Sequence, residues 1–428
     1  MRQDNEQYGC IEIGTSTIKA AIGRLLDDGT LEVSGLGTRP SLKMLKGEPS
    51  NPAIVAEQLC QAMESARRQA GLREFPRQSA LMLSGPYIRP QILHRTMELP
   101  GQEPISDELQ QKLYLDNCAE AKAQEGDGDH LLDTIVERMV RLDGERIVFS
   151  AAGLYAVQAD FETYCFLFND ASFQNFASVV TQAGYPWNRV KAVLYAPLAV
   201  ASGLFPPSHS DESLGLAIDL GAGVTDFVMP AGPGYVVCEQ IAVGCDNIAN
   251  DLSIVLDLDI ATARRIVGEM ASLRLTAIPN GDGESRKVEL NLRGVDGTPQ
   301  KRLFSADLIE QVIHARLRET FELVKLRLEE LDAFNFIGNE VLLSGGGAMI
   351  PRVTELASQV FSRKARVALP YRVVGAAEDA AGDPRNNAVL GMMRAFRQMM
   401  AVREIQDSRN GWGGLMDKLE KIKGVLKW

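Results

Sequence analysis

Apolar runs of strand length alternate along this chain with longer stretches in which apolar residues recur every three or four positions, the pattern of an α/β protein. YGCIEIGTSTIKAAIG (8–23) reads as a hairpin: an apolar strand ending near Ile13, a tight Gly14-Thr15-Ser16-Thr17 turn, and a return strand to about Leu25. LGLAIDLGAGVTDFVM (214–229) reads the same way, and overlaying the two places Glu12 on Asp219, Gly14 on Gly221, Ser16 on Gly223 and Thr17 on Val224. NEVLLSGGGAMIPRV (339–353) predicts a strand over Val341–Leu343, a Ser344-Gly345-Gly346-Gly347 turn and a helix from Pro351. From Leu308 to Leu331 the residues Ile309, Val312, Ile313, Leu317, Phe321, Val324 and Leu328 fall at helical period and predict a long amphipathic helix.

The chemistry that calls for two such hairpins is phosphate binding. Glycines and small hydroxyl residues let successive backbone N–H groups approach an anion, and an acid at the strand end can hold Mg²⁺ through water. Gly14, Thr15, Ser16 and Thr17 would form one half of a nucleotide site and Gly221, Ala222, Gly223 and Val224 the other, with Glu12 and Asp219 as the metal-side acids. Gly345, Gly346 and Gly347 would lie flat against a base or ribose. Each loop also has a plain reading: a glycine hairpin can be only a turn, and the glycine triplet can serve close helix–strand packing.

Composition narrows the classes. The 428 residues predict more than one domain. With 45% apolar and 24% charged residues the chain can bury a sizeable core, and a net charge of -11 without a long basic cluster excludes non-specific nucleic-acid binding. Six scattered cysteines without a C-x-x-C pair suit reduced thiols in a cytoplasmic protein. The opening MRQDNEQYG has no apolar signal-peptide core, and the longest apolar run, Ala192 to Phe205, contains Pro197 and is shorter than the ~20 residues that span a bilayer, so an integral membrane protein is not expected. The four histidines (His94, His130, His209, His314) are far apart, and neither G-x-S-x-G nor H-E-x-x-H occurs.

Taken in order, IEIGTSTIKA (11–20), DLGAGVTDF (219–227) and LLSGGGAMIPRV (342–353) resemble the two phosphate loops and the adenosine loop of the actin, sugar-kinase and Hsp70 ATPase superfamily. Within it the chain most resembles the FtsA family of bacterial cell-division proteins over nearly all of residues 8–402, because residues 83–121 and 140–164 are similar to the subdomain that this family inserts. The resemblance implies an α/β, actin-like duplicated two-domain ATPase fold with an inserted 1C (SHS2) subdomain and a C-terminal amphipathic helix. Subdomain 1A would take 8–84, 166–205 and 387–402; 1C 85–165; 2A 213–245 and 339–386; 2B 246–338; and a linker 403–411. PPSHSDES (206–213) would link the domains, with surface turns at 279–285 and 295–298.

The same resemblance implies a filament-forming protein that binds ATP and Mg²⁺. It would tether FtsZ, through subdomain 2B, to the cytoplasmic face of the inner membrane at the division site and help recruit other divisome proteins. Several positions depart from the family pattern: Glu12 for aspartate, Thr17 for lysine or serine, and Ala222 and Val224 for glycine and threonine. Ala196, in a connecting helix AVLYAPLAVASGLF (192–205), stands for a glutamate, and Arg264 and Val267 stand for a glutamate and a lysine. With the Ala196 position lacking a carboxylate to orient water, ATP hydrolysis is expected to be slow or absent. A PilM-like pilus or secretion adaptor shares the fold and insertion; a sugar-kinase-type phosphotransferase would need a catalytic aspartate, for which Asp226 is the loop candidate.

Residues 412–428 have a different character. Wound as a helix, they place Trp412, Leu415, Met416, Leu419, Ile422 and Leu426 on one face and Lys418, Lys421 and Lys427 off it, with Trp428 at the far end. Such a segment suits an anionic membrane surface, leucines down and lysines toward phosphates. Lys423 inside the apolar arc and glycines at 413, 414 and 424 weaken it. The same pattern could instead pack on the protein's own body or on a partner subunit.

Overall fold

Runs such as Cys10-Ile11 and Ala217-Ile218, fully buried on a sheet, and helical stripes such as Ile309, Ile313, Leu317 and Phe321 set the layering of the chain: sheets inside, helices outside. The computed structural model describes residues 7–45, 47–123, 128–206, 215–232, 234–269, 287–293 and 299–407. Residues 206–213 apart from Pro206, the turns at 279–285 and 295–298, and the whole segment 408–428 lie outside the described residues.

The first half runs β1 (Tyr8–Ile13), β2 (Thr17–Leu25), β3 (Leu31–Pro40), the short pair β4 (Met44–Leu45) and β5 (Glu48–Pro49), α1 (Pro52–Gln69) and β6 (Ser79–Leu83). An insertion follows: β7 (Ile88–Glu98), α2 (Asp107–Ala123), β8 (Asp129–Leu131), β9 (Val136–Leu142), β10 (Arg146–Val148) and β11 (Gln158–Asn169). The chain returns through α3 (Asp170–Gln182), β12 (Val190–Tyr195) and α4 (Ala196–Leu204). The second half has β13 (Leu216–Leu220), β14 (Thr225–Ala231), β15 (Gly234–Ile241), α5 (Cys245–Leu256), α6 (Ile260–Glu269), β16 (Lys287–Arg293), β17 (Pro299–Ser305) and α7 (Ala306–Glu330). It closes with β18 (Glu340–Ser344), α8 (Val353–Phe361), β19 (Lys364–Val367), β20 (Val373–Val374) and α9 (Asn387–Asp407).

The two main sheets repeat one topology. In the first, β3-β2-β1 form an antiparallel meander and β6 and β12 extend it in parallel. In the second, β15-β14-β13 form the meander and β18 and β19 the parallel extension. Both hairpins expected from the sequence are the first turns of these meanders, so the repeat sets their two glycine loops in corresponding places. α9 returns to the first half, burying Val389, Leu390, Met393 and Phe396, and runs along α4 so closely that a Cβ on Gly391 would lie 1.9 Å from the Ala199 carbonyl oxygen.

The inserted strands form their own sheet, in which β11 pairs with β7 over eleven residues. A buried arginine on β9, Arg138, pairs with Glu162 of β11 and donates to the carbonyls of Val236 (3.1 Å) and Leu331 (2.6 Å), fastening this sheet to the second half. Two expectations need correction. Ala192–Tyr195 are strand rather than helix, since this apolar run is short enough to complete the parallel sheet; the helix begins at Ala196. A single-turn 3₁₀ segment over Gly346–Met349 takes in the last two glycines of the triplet, and α8 begins at Val353, after Arg352 turns the chain in the left-handed region.

Candidate nucleotide cleft

Both hairpins turn tightly at a glycine, although Gly221 N–H donates back to the Asp219 carbonyl at 3.1 Å where Gly14 N–H reaches across its turn. Gly14 N–H donates to the Thr17 carbonyl at 3.0 Å, and a Cβ at Gly14 would lie 2.8 Å from that oxygen; at Gly221 a Cβ would lie 2.8 Å from the Val224 carbonyl oxygen. Larger residues would push the turns open. The loops also meet each other, because a Cβ on Gly223 would lie 2.4 Å from Thr15 Oγ1.

The start of α5 orients the second loop. Cys245 N–H donates to the Gly221 carbonyl at 2.9 Å and Asp246 N–H to the Ala222 carbonyl at 2.8 Å. In a trans peptide the N–H points opposite to the carbonyl, so the amides of Ala222 and Gly223 turn away from the helix, where an anion can accept from them. In the first loop, Ser41 N–H takes the Ser16 carbonyl at 2.8 Å and turns the Thr17 amide the other way by the same logic. Arg264, which stands where the resemblance puts a glutamate, forks onto Asp246 at 3.0 and 2.9 Å and is half exposed.

Of the third loop, Gly345 and Gly347 serve packing. Gly345 has φ +80, which favours glycine, and a Cβ there would lie 2.7 Å from the Leu220 carbonyl oxygen; one on Gly347 would meet Leu220 Cβ at 2.6 Å. A Cβ on Gly346 meets nothing within 4 Å, so this residue presents bare backbone to open space.

The acids behind the loops differ. Cross-strand register opposes Glu12 to Lys19 in the first hairpin and Asp219 to Asp226 in the second. Lys19 Nζ, almost wholly buried, donates to both Glu12 oxygens at 3.0 Å and to the Arg385 carbonyl at 2.6 Å. Burial pushes the Asp219 carboxyl up to about 6, against a hydrogen bond from Ser344 and with the Glu12 charge adding to the rise. Asn387 at the start of α9 donates to Ser344 at 3.0 Å, so the turn that carries Arg385 and Asn387 reaches the base of both hairpins.

Asp226 is pushed further, to about 8, by burial opposed by its Ser84 hydrogen bond and reinforced by Asp219 and Glu12. The Ser84 hydroxyl lies 2.6 Å from Asp226 Oδ1 and 3.0 Å from Gln240 Oε1. One hydroxyl hydrogen cannot serve two acceptors. Both are satisfied when Asp226 keeps its proton and donates to Ser84, which donates on to Gln240. The Gln240 amide then grips the chain after β6: its oxygen accepts from Gly85 N–H at 3.0 Å and its nitrogen donates to the carbonyls of Gly85 and Ile88. A protonated, hydrogen-bonded Asp226 is a structural clasp between the halves rather than a general base for phosphoryl transfer.

The residues fit a nucleotide better than a tightly held metal. The glycine turns and the amides of Ala222 and Gly223 form a cradle that side chains would fill, but Lys19 occupies both oxygens of Glu12, leaving Asp219 the only expected metal-side acid not paired with a cation among the described residues. Ala196 is buried in the first turn of α4 and brings no carboxylate. Sequence reasoning missed Lys19, although counting back from the turn places it opposite Glu12, and it missed Ser84 and Gln240, which only tertiary folding brings together.

Duplicated sheets, paired glycine hairpins and a connecting pair of helices define a protein of the actin-like class. Solved structures agree at the level of fold: the PilM-PilN type IV pilus biogenesis complex matches 90% of this chain and 97% of the matched chain at 14% identity and a TM-score of 0.62. MreB5 of Spiroplasma citri, in a structure bound to ADP, matches 95% and 100% at 13% identity and a TM-score of 0.51. The family model described as "Cell division protein FtsA" matches residues 216–391. The FtsA proteins of Pseudomonas aeruginosa and Neisseria meningitidis are each 26% identical, over 85% of this chain and 83% of the former relative and over 98% of this chain and 99% of the latter. The chain is thus a relative of the bacterial FtsA cell-division proteins.

Proposed function

We propose that this chain is a cell-division protein that binds ATP as its Mg²⁺ complex between the two hairpins, self-associates into filaments and tethers FtsZ to the cytoplasmic face of the bacterial inner membrane. The observation that carries the nucleotide reading is the contact of Thr15 with Gly223, which sets the two glycine turns face to face. The FtsZ tail would dock on residues 246–338, and residues 412–428 would attach to anionic lipid. Scaffolding follows from linkage: nucleotide stabilises the closed cleft, closure favours the polymer, and the polymer multiplies many weak lipid anchors. Turnover is slow or absent, since Ala196 supplies no group to orient water and Asp226 is clasped; robust steady-state hydrolysis by the purified chain would contradict this.

The likeness to PilM is one of fold at 14% identity, whereas the similarity to FtsA proteins is carried by sequence over most of the chain, which favours the division reading over a pilus adaptor. The test is co-sedimentation with anionic liposomes in the presence of ATP and FtsZ, using the full chain and a chain lacking residues 411–428. The full chain should carry FtsZ into the pellet and the truncated chain should not. Equal pelleting of the two overturns the tether, and equal binding to neutral lipid overturns the role of the lysines.

A further inference from the structure

We propose that Lys19 is a built-in counter-cation for Glu12, taking the place beside this acid that a hydrated divalent ion would otherwise fill, so that the cleft binds its nucleotide with little dependence on Mg²⁺. The inference rests on the nucleotide reading above and concerns what balances the charge of the first hairpin. Three observations carry it. The ammonium lies 3.0 Å from each Glu12 oxygen, a two-oxygen grip that neutralises the carboxylate and so removes the net charge that would draw a hydrated divalent ion to it. Its third hydrogen goes to the Arg385 carbonyl at 2.6 Å, so all three donors are directed by the protein and the group is fixed. Finally, the Lys19 and Glu12 side chains are only 5% and 14% exposed, where solvent screens the pair weakly and a second cation beside it would be repelled.

The consequence is electrostatic. A first hairpin with a bare acid would repel a polyphosphate until a divalent ion intervened; with Lys19 in register the acid and its cation cancel, and backbone amides can receive the phosphates directly. Metal then accompanies the nucleotide as a passenger on its phosphates and is not recruited by Glu12.

The test measures equilibrium binding of a fluorescent, non-hydrolysable ATP analogue to the full wild-type chain and to Lys19→Met, with Mg²⁺ in excess or with EDTA. The wild-type affinity should change by less than about threefold between the two buffers, and that of Lys19→Met should fall by about tenfold or more in EDTA and recover with Mg²⁺. In the charge-neutral pair Glu12→Gln/Lys19→Met the metal dependence should disappear again. A wild-type chain that binds nucleotide but loses about tenfold or more in EDTA overturns this inference alone, as does a Lys19→Met chain with unchanged metal dependence. Should Lys19→Met fail to fold, the wild-type pair of titrations decides. A wild-type chain that binds no nucleotide in either buffer overturns the nucleotide reading itself, and the inference with it.

Discussion

The two glycine hairpins have nearly the same backbone and opposite electrostatics. At corresponding register positions the first sets Glu12 against Lys19 and the second sets Asp219 against Asp226. Burial acts on both, yet it yields an ion pair in one and a clasped, protonated carboxyl in the other, because the residue across the strand decides how a buried charge is neutralised. Duplication thus preserved the turn, which the backbone needs, and left the facing position free to diverge. The first hairpin is tied to the segment before α9 through the Arg385 carbonyl, and the second to the segment after β6 through Ser84 and Gln240.

Removing the cation from the first hairpin should have the largest effect on stability. Lys19→Met leaves Glu12 charged and unpaired in a poorly hydrated site and should cost about 3–5 kcal/mol in urea unfolding, whereas Glu12→Gln/Lys19→Met should recover most of it. If the single and double variants lose stability equally, the pair is not what holds this hairpin together.

The clasp of the second hairpin should be weaker. Gln240→Ala removes the partner of the Gly85 amide and of two carbonyls, for an expected cost of about 1–3 kcal/mol, with hydrogen exchange rising at Gly85 and Ile88 more than in the distant β16–β17 pair. Uniform exchange across the chain would argue against a local clasp.

A third effect should be one of pH. Asp226 holds its proton in the folded chain up to about 8, while the unfolded value is near 3.8, so its contribution to stability is full below about pH 4 and is lost as pH rises through about 8. Asp219 and Glu12 face it with like charge, and Ser84 and Gln240 receive its proton chain. Asp226→Asn keeps a donor toward Ser84 and cannot ionise. It should therefore melt near the wild type at pH 5 and above it at pH 9, by thermal unfolding across that range. A variant that parallels the wild type at every pH would remove the protonated carboxyl from this account.

Much of this was legible in the sequence. The two hairpins follow from apolar runs that break at small-residue turns, and α7 spans nearly the stretch that its apolar period marks. The run 192–205 was harder, since an all-apolar segment carries no period to separate the strand ending at Tyr195 from the helix beginning at Ala196. The acids were the least legible part of the site. Residue type marks Glu12 as a metal-side carboxylate, but its state is set by Lys19 across the strand, and that of Asp226 by Ser84, which lies 142 positions away in sequence.

The claim on which the account turns is that the two hairpins clamp one phosphate tail between them. Calorimetric titration of ATP into the full chain and into Gly223→Val tests it most directly, because a side chain at 223 would occupy the seam beside Thr15. One site per wild-type chain, and affinity weakened by about tenfold or more in a variant that still melts cooperatively, is the expected result. Equal affinity of the two chains, or no binding by the wild type, would contradict it.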